Sequence, residues 1–314
     1  MAARERTTPR KGRAFRLSHF WRFAPFWLPA FILYSLFIVW PLLNAVSYSL
    51  FEWRGLQRGA FAGLDNFVKL FTQEPWRSNL WRAFWHNLVF FGLTMLVQNT
   101  VALFFAVVLY NLKYLSRFFQ NLFFMPHLLA TVLIGFLWNL ILNPLFGPLN
   151  KGLKALGLGV LAQPWLGTPM TALPTIVAVN AWAWLGFPMM LFLANLGSIP
   201  ESYLEAARLD GASSWQVFRF VQLPLLQPSL VIVTVLTFIG NFNAFELIFV
   251  MAGSDGSPGG ATDVLGTFFY RTAFGTGQEA VSMGSTLAVT IFGFIALVSF
   301  VFLRLVRRGE VTYD

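Results

Sequence analysis

Residues 201–228, ESYLEAARLDGASSWQVFRFVQLPLLQP, form a polar interval between two long apolar segments of the chain. Ser198 followed three residues later by Glu201, with a proline between them, has the form of a capping box, so a helix is predicted to begin here. It should run to about Leu209 and stop at Gly211, because glycine adopts the left-handed conformation after a helix end without a Cβ penalty.

A second capping signature follows directly. Ser213 and Gln216 repeat the spacing of the first, which predicts another short helix that ends before Pro224, where the backbone has no N–H to donate. The interval is therefore predicted to be a helix-turn-helix in water, joined at both ends to segments that lie in lipid.

The composition of the whole chain indicates a membrane protein. Of its 314 residues, 57% are hydrophobic and 11% are charged, whereas soluble domains carry about a quarter charged residues. The net charge of +9 is interpreted as a signal of membrane orientation, and no nucleic-acid partner is predicted. The lack of cysteine excludes a disulfide framework, thiol catalysis and thiolate metal sites.

Charge-free intervals predict the membrane crossings, since a crossing takes about 20 apolar residues and a central charge costs roughly 2.5 to 3.5 kcal/mol. They predict an all-α integral membrane protein with six transmembrane helices. The predicted crossings are residues 27–50, 84–110, 119–142, 173–196, 229–251 and 281–303. The predicted domains are a basic tail (1–24), a six-span domain (25–308) that includes the loop 200–228, and a C-terminal tail (309–314).

Lysine and arginine are distributed unevenly between the two sides that six crossings create. The side that holds both termini and residues 200–228 carries the larger number of them. Because cytosolic loops are enriched in these residues, both termini and the helix-turn-helix are predicted to be cytosolic. The first loop on the opposite side contains FAGLDNFVKLF, residues 61–71, which predicts short amphipathic structure against the outer surface.

The helix-turn-helix also carries a motif of fixed residue types at fixed spacing, EAAxxDGA, then a spacer and LP. It is supplied by Glu205, Ala206, Ala207, Asp210, Gly211, Ala212, Leu223 and Pro224. This motif resembles the EAA loop of the membrane subunits of binding-protein-dependent ABC importers. The span number and chain length are similar to those of the sugar permease branch, with its maltose, glycerol-phosphate and multiple-sugar transporters, from about Pro25 to Arg308.

The resemblance implies a non-catalytic permease subunit in the cytoplasmic membrane of a bacterium or archaeon, surrounded by membrane lipid. Its implied partners are a second homologous permease subunit, two ABC ATPase subunits and an extracytoplasmic solute-binding protein. ATP and Mg would be bound by the ATPase subunits, so no cofactor is expected in this chain. The glycine-rich stretch 251–260 lacks the GxxxxGK of a phosphate-binding loop and resembles the region where a binding protein docks.

The motif residues are predicted to couple this chain to the ATPase. Glu205 would form a charge-assisted bond with a partner arginine, while Ala206 and Gly211 allow the close approach of another backbone. Ala207, Asp210 and Pro224 complete the predicted coupling set. The alternative for Glu205 is a solvated surface carboxylate with no partner.

A substrate site is predicted on the fourth and fifth crossings. Thr237 and Asn241 are one helical turn apart and share a face, and an amide side chain can both donate to and accept from sugar hydroxyls. Asn180, Trp184 and Phe187 of the fourth crossing stand, by counting from the motif, where the similar maltose permease subunit has sugar contacts. The alternative is that these asparagines only join helices and the aromatic residues only pack.

Glu246 is the only carboxylate well inside a predicted crossing. Acids within the membrane are functional candidates because lipid does not tolerate them without a partner or water. Three interpretations remain open for it: a hydrogen-bond acceptor that lines the pathway, a proton site, or a residue near the outer interface.

The sequence therefore predicts a permease that forms a pathway for a carbohydrate, most simply a di- or oligosaccharide. The alternatives are an ABC permease for glycerol-phosphate, a polyol or a polyamine, a proton-coupled secondary transporter that uses Glu246, and a membrane glycosyl-transfer enzyme. The last would need a carboxylate cluster at the bilayer surface. His86 and His127 stand alone, without the acidic or histidine neighbours that a metal site requires.

Overall fold

A computed structural model of the chain describes residues 23–112 and 114–307, so nearly all of the predicted tails (1–24 and 309–314) lies outside the described residues. In chain order the helices and strands are α1 (Ala24–Ser49), β1 (Phe51–Arg54), β2 (Gln57–Phe61), α2 (Asp65–Thr72), α3 (Trp76–Asn111), α4 (Ser116–Phe124), α5 (Thr131–Ile141), α6 (Pro148–Ala155), α7 (Pro169–Trp184), α8 (Gly186–Ser198), α9 (Glu201–Leu209), α10 (Ser214–Leu225), α11 (Gln227–Phe242), α12 (Glu246–Ala252), α13 (Leu265–Ala273) and α14 (Ala280–Arg307).

Three helices in the described part of the chain, α1, α3 and α14, are long and apolar enough to cross a membrane unaided. Three consecutive pairs pass the same test only together, because each pair is bent: α4 and α5 by 96°, α7 and α8 by 48°, and α10 and α11 by 65°. The described residues therefore contain three spans, or up to six if each bent pair forms one.

The third and fourth predicted crossings are not continuous helices. Between α4 and α5 the chain forms a 3₁₀ turn, Met125–Leu128. Pro188 lies four residues after Trp184, the last residue of α7, and a proline leaves the carbonyl four positions earlier without its N–H donor. Both breaks thus occur beside prolines inside otherwise apolar segments.

The helix-turn-helix is present, with two corrections. Ser198 does not cap α9: its hydroxyl donates to the carbonyl of Asn195 at 2.7 Å, and the capping position is Pro200 without a side-chain bond. The second helix does not end before Pro224. It continues to Leu225 because a π-helical turn, Phe218–Gln222, lies directly before the proline and changes the hydrogen-bonding register there.

The second capping box and the glycine turn are confirmed. The backbone N–H of Ser213 donates to Oε1 of Gln216 at 2.7 Å, and the N–H of Gln216 donates to the Ser213 hydroxyl. Gly211 has a φ of +82°, the left-handed conformation that ends α9.

The described residues are mostly helical, as predicted, and they also contain one short two-stranded hairpin that was not predicted. β1 and β2 pair antiparallel, with Phe51 opposite Phe61. Their rings meet edge to face at 5.2 Å, and the guanidinium of Arg58 lies 3.5 Å from the centre of the Phe51 ring. Aromatic cross-strand pairs stabilise such hairpins. The charge-free intervals that predicted the crossings gave no signal for this hairpin.

The loop after the hairpin contains the predicted amphipathic segment as α2. Its Leu70 is fully buried, and Asn66 donates from its amide to the carbonyls of Ser49 at 2.8 Å and Phe51 at 3.1 Å. These bonds satisfy carbonyls that the end of α1 leaves without partners. Asn66 therefore links α2 to the end of α1 through hydrogen bonds.

Candidate functional site

A cavity of about 590 Å³ lies where α7 bends into α8 and where α11 is interrupted before α12. The six residues predicted to bind substrate all line it: Asn180, Trp184, Phe187, Thr237, Asn241 and Glu246. Its other lining residues are Phe90, Gln98, Thr131, Pro188, Val233, Leu236, Gly240, Asn243, Ala244, Phe245, Leu247 and Ile248. The structure therefore brings the predicted set together, while their contact with a substrate stays a prediction.

The fifth predicted crossing, 229–251, is broken at residues 243–245, and this break forms one wall of the cavity. No proline stands in it. The carbonyl of Asn241, at the end of α11, accepts a hydrogen bond from the amide of Asn87 at 2.7 Å. Gly266 of α13 fits closely, since a Cβ there would lie 2.6 Å from the carbonyl oxygen of Ala244. Neighbouring helices thus stabilise the interruption.

Asn241 presents an unused donor in the cavity wall. Its side chain is 5% exposed, and its amide nitrogen has no hydrogen-bond partner in the described residues. A buried donor left unpaired costs about 1–3 kcal/mol. The nitrogen is covered by neighbouring atoms, so an acceptor could reach it only after the cavity wall moves.

Two of the predicted polar residues are held by a π-helical turn of α3, Met95–Asn99. Gln98 accepts from the amide of Asn180 at 3.3 Å, and Asn99 donates to the hydroxyl of Thr237 at 3.0 Å. Sequence reasoning missed Gln98 and Asn99, although two adjacent amides inside a long apolar segment were a visible signal.

One edge of the cavity is aromatic. Trp184 and Phe187 are 40% and 39% exposed, so their rings are available for contact. His127, in the 3₁₀ turn between α4 and α5, meets the Trp184 ring edge to face at 4.5 Å and lies parallel to Phe187 at 6.1 Å. The break between α4 and α5 therefore places His127 against the two predicted aromatic residues, a role that the sequence did not indicate for His127.

Glu246 is the first residue of α12 and is exposed to the cavity. Its carboxylate makes no hydrogen bond or ion pair with any residue between 23 and 112 or 114 and 307. Glu246 thus lines the cavity at a helix start and not within a continuous helix, while its role stays a prediction.

The predicted coupling residues form a separate surface on α9 and α10. Glu205, Ala206, Asp210, Gly211 and Pro224 are exposed, and Ala207 is half-buried. Leu204 and Val217 are buried behind them, in a cluster with Phe192 and Leu196 of α8. Most of the motif is thus exposed, and the buried apolar residues of the same two helices pack against α8.

A buried charge network that the sequence did not reveal lies between α12 and α13. Asp263 is fully buried and accepts two bonds from Arg271, at 2.8 and 3.1 Å, and one from Arg82 at 3.3 Å. Its backbone carbonyl lies 2.8 Å from Nδ1 of His86. We call residues 253–264, which contain Asp263, the α12–α13 connection.

Asn87 joins the start of α13 to the cavity wall. Its side-chain oxygen accepts from the N–H of Leu265 at 2.7 Å, while its amide donates to the Asn241 carbonyl. One fully buried side chain therefore contacts both the first residue of α13 and the end of α11.

Apolar helices that break around a cavity with polar groups in its wall are the arrangement of membrane transport proteins, and the fold and cavity place this chain in that class. Residues 98–309 match the family described as "Binding-protein-dependent transport system inner membrane component". This match covers more than half of the chain, which therefore belongs to that family of transporter subunits.

Two relatives and one solved structure illustrate the match. The chain is 29% identical over 293 residues (91% of this chain, 95% of the relative) to a probable starch degradation products transport system permease protein, AmyD, of Thermoanaerobacterium thermosulfurigenes. It is 30% identical over 276 residues (87% and 89%) to the lactose transport system permease protein LacF of Rhizobium radiobacter. A chain of a bacterial ABC transporter involved in alginate import has the same fold, with a TM-score of 0.78, 23% identity and coverage of 96% and 100%.

Proposed function

We propose that this chain forms the translocation pathway for a carbohydrate, a di- or oligosaccharide, in an ATP-binding-cassette importer. The observation that carries the proposal is the cavity at the two helix breaks, where an unpaired amide donor, further amides and hydroxyls, and two exposed aromatic rings converge. Polar groups that both donate and accept suit a sugar. Relatives named for lactose and for starch degradation products support the carbohydrate class.

In this proposal the bent pairs each count as one crossing, which makes six, and both termini and the helix-turn-helix are cytosolic. The excess of lysine and arginine on that side supports the orientation. The chain works with a second permease subunit, two ATPase subunits that bind ATP and Mg, and an extracytoplasmic binding protein that delivers the sugar. It performs no chemistry itself.

The exposed motif on α9 and α10 is the proposed coupling surface. Glu205 has no ion-pair partner in the described part of the chain, so its carboxylate is free to accept a charge-assisted bond from an ATPase arginine. Movement of the ATPase would then be transmitted to α8 through Leu204 and Val217. ATP binding would open the cavity outward, and hydrolysis would reset it inward.

The substrate proposal is tested with the complete transporter in proteoliposomes. Asn241→Ala removes the free donor and Trp184→Ala removes an aromatic face, and each should lower ATP-driven sugar uptake about tenfold or more, in line with about 1–3 kcal/mol of lost binding. Trp182→Ala is the matched control, because Trp182 is 43% exposed but packs against Trp138 outside the cavity. Equal uptake in all three variants would contradict the proposal.

The coupling proposal has its own test. Glu205→Ala and Gly211→Val should weaken ATPase association and transport together. Glu201→Ala, an exposed carboxylate on the same helix, and Gly157→Val, which carries the same left-handed strain (φ +76°) in another turn, are the controls. If the ATPase still associates with the first pair, Glu205 and Gly211 are not part of the coupling surface.

The proton-coupled alternative gives a different result in the same vesicles. Vesicles that contain this chain alone, with a pH gradient and without ATP, should show no sugar uptake if the proposal is right. Uptake under those conditions would establish secondary transport instead.

A further inference from the structure

The cavity wall carries one ionisable side chain among its described lining residues, Glu246. The rest of the wall is built from amides, hydroxyls, aromatic rings and aliphatic groups. The charge of the cavity surface that this chain contributes is therefore set by a single carboxylate.

Among the described residues, none with a positive charge pairs with this carboxylate. α5 and α7, which pack against α12, contain no lysine or arginine. Arg82 of α3 and Arg271 of α13 both pair with Asp263. Because Glu246 is exposed and unpaired within the described residues, its charge acts on whatever enters the cavity.

We infer that Glu246 is a specificity-determining residue that excludes anionic substrates, such as uronates and sugar phosphates, from the pathway. The inference rests on the proposed carbohydrate function. Two like charges about 6 Å apart at an effective dielectric constant of about 20 to 40 repel enough to weaken binding about ten- to a hundredfold. A neutral sugar meets no such repulsion, and its hydroxyls can donate charge-assisted hydrogen bonds to the carboxylate.

This assignment argues against one of the substrate classes that the sequence left open. Glycerol-phosphate carries a dianionic group and is disfavoured by the wall, whereas neutral di- and oligosaccharides meet no repulsion. In this inference Glu246 acts through its charge and through hydrogen bonds from sugar hydroxyls, and no proton transfer is required of it.

The test measures direct binding to the complete membrane complex in nanodiscs, without the binding protein, so that the selectivity of that protein does not enter. The probes are maltotriose and lactose, each compared with its own derivative oxidised at C6 to a carboxylate. Isothermal titration gives the ratio of the two dissociation constants. For the wild type the neutral form should bind about ten- to a hundredfold more tightly.

Three variants sharpen the result. Glu246→Gln should reduce the ratio to about threefold or less, while Glu246→Asp, which keeps the charge, should retain most of it. Asp255→Asn is the matched control, because Asp255 is an exposed carboxylate of the α12–α13 connection outside the cavity, and it should leave the ratio unchanged.

The possible outcomes distinguish a failure of this inference from a failure of the proposed carbohydrate function. If neutral and anionic forms bind the wild type equally, or if Glu246→Gln keeps the wild-type ratio, Glu246 does not exclude anionic substrates. The proposed carbohydrate function is unaffected by that result. If neither neutral sugar binds the wild type, the proposed function is wrong, and so is the inferred role of Glu246.

Discussion

The two polar segments that flank α11 and α12 are stabilised by opposite means. The helix-turn-helix of α9 and α10 rests on buried Leu204 and Val217 and leaves its charged residues exposed. The α12–α13 connection instead buries Asp263 between two arginines. A surface with free charges on an apolar base is suited to a partner, whereas a segment that neutralises its charge internally can hold its shape alone.

The strongest test of this comparison is Asp263→Ala. Removing one member of a buried ion pair costs about 3–5 kcal/mol, because the remaining charges lose their partner. We expect that loss in the unfolding free energy of the purified chain, measured by detergent-induced unfolding in mixed micelles. Asp255→Ala, in the same connection but exposed, should change it by less than about 0.5 kcal/mol. A loss below about 1 kcal/mol for Asp263→Ala would show that the network does not stabilise the connection.

The apolar base of the helix-turn-helix predicts the next largest effect. Leu204→Ala removes a side chain that is 3% exposed and should cost about 2–4 kcal/mol. It should also speed proteolytic cleavage within residues 201–225. Tyr203→Ala is the control, since Tyr203 is 50% exposed. Equal behaviour of the two variants would mean that polar contacts, and not this packing, hold the motif in place.

The two arginines around Asp263 should contribute unequally. Arg271 makes two bonds to the carboxylate and its side chain is 30% exposed, whereas Arg82 makes one at 3.3 Å and is 45% exposed. Arg271→Gln should therefore cost about 1.5–3 kcal/mol and Arg82→Gln less than about 1 kcal/mol. The same unfolding measurement ranks them, and a reversed order would assign the main counter-charge to Arg82.

The smallest effect on stability should come from Glu205→Ala. The side chain is exposed and has no ion pair within the described residues, so the unfolding free energy should change by less than about 0.5 kcal/mol. Its proposed contribution is to a partner, which the ATPase association assay measures. A destabilisation above about 1 kcal/mol would show that Glu205 supports this chain's own fold.

Local signals in the sequence predicted the parts of the fold that local physics controls. The Ser213 and Gln216 capping box, the glycine turn and the long apolar helices follow from neighbours a few residues apart. Five of the six predicted cavity residues were found by helical spacing or by their distance from the motif, and Glu246 was found as a carboxylate inside a predicted crossing. The structure places them in one cavity.

Features held by distant residues were not predictable in this way. Asp263 pairs with Arg82 across 181 positions, and the break at residues 243–245 contains no proline and depends on Asn87, 154 positions from Asn241. A pattern within one segment carries no information about such partners. The β-hairpin was missed because its two strands, of four and five residues, are too short to show a clear alternation of apolar and polar residues.

The two hydrogen bonds of the Asn87 side chain link two distant segments of the backbone. Its one amide group is bonded on one side to the N–H of Leu265 and on the other to the carbonyl of Asn241. If the N–H of Leu265 and the carbonyl of Asn241 moved apart, one of these hydrogen bonds would break and leave a buried polar group unpaired. The start of α13 and the end of α11, which lines the cavity, are therefore coupled, so a displacement of the one is transmitted to the other.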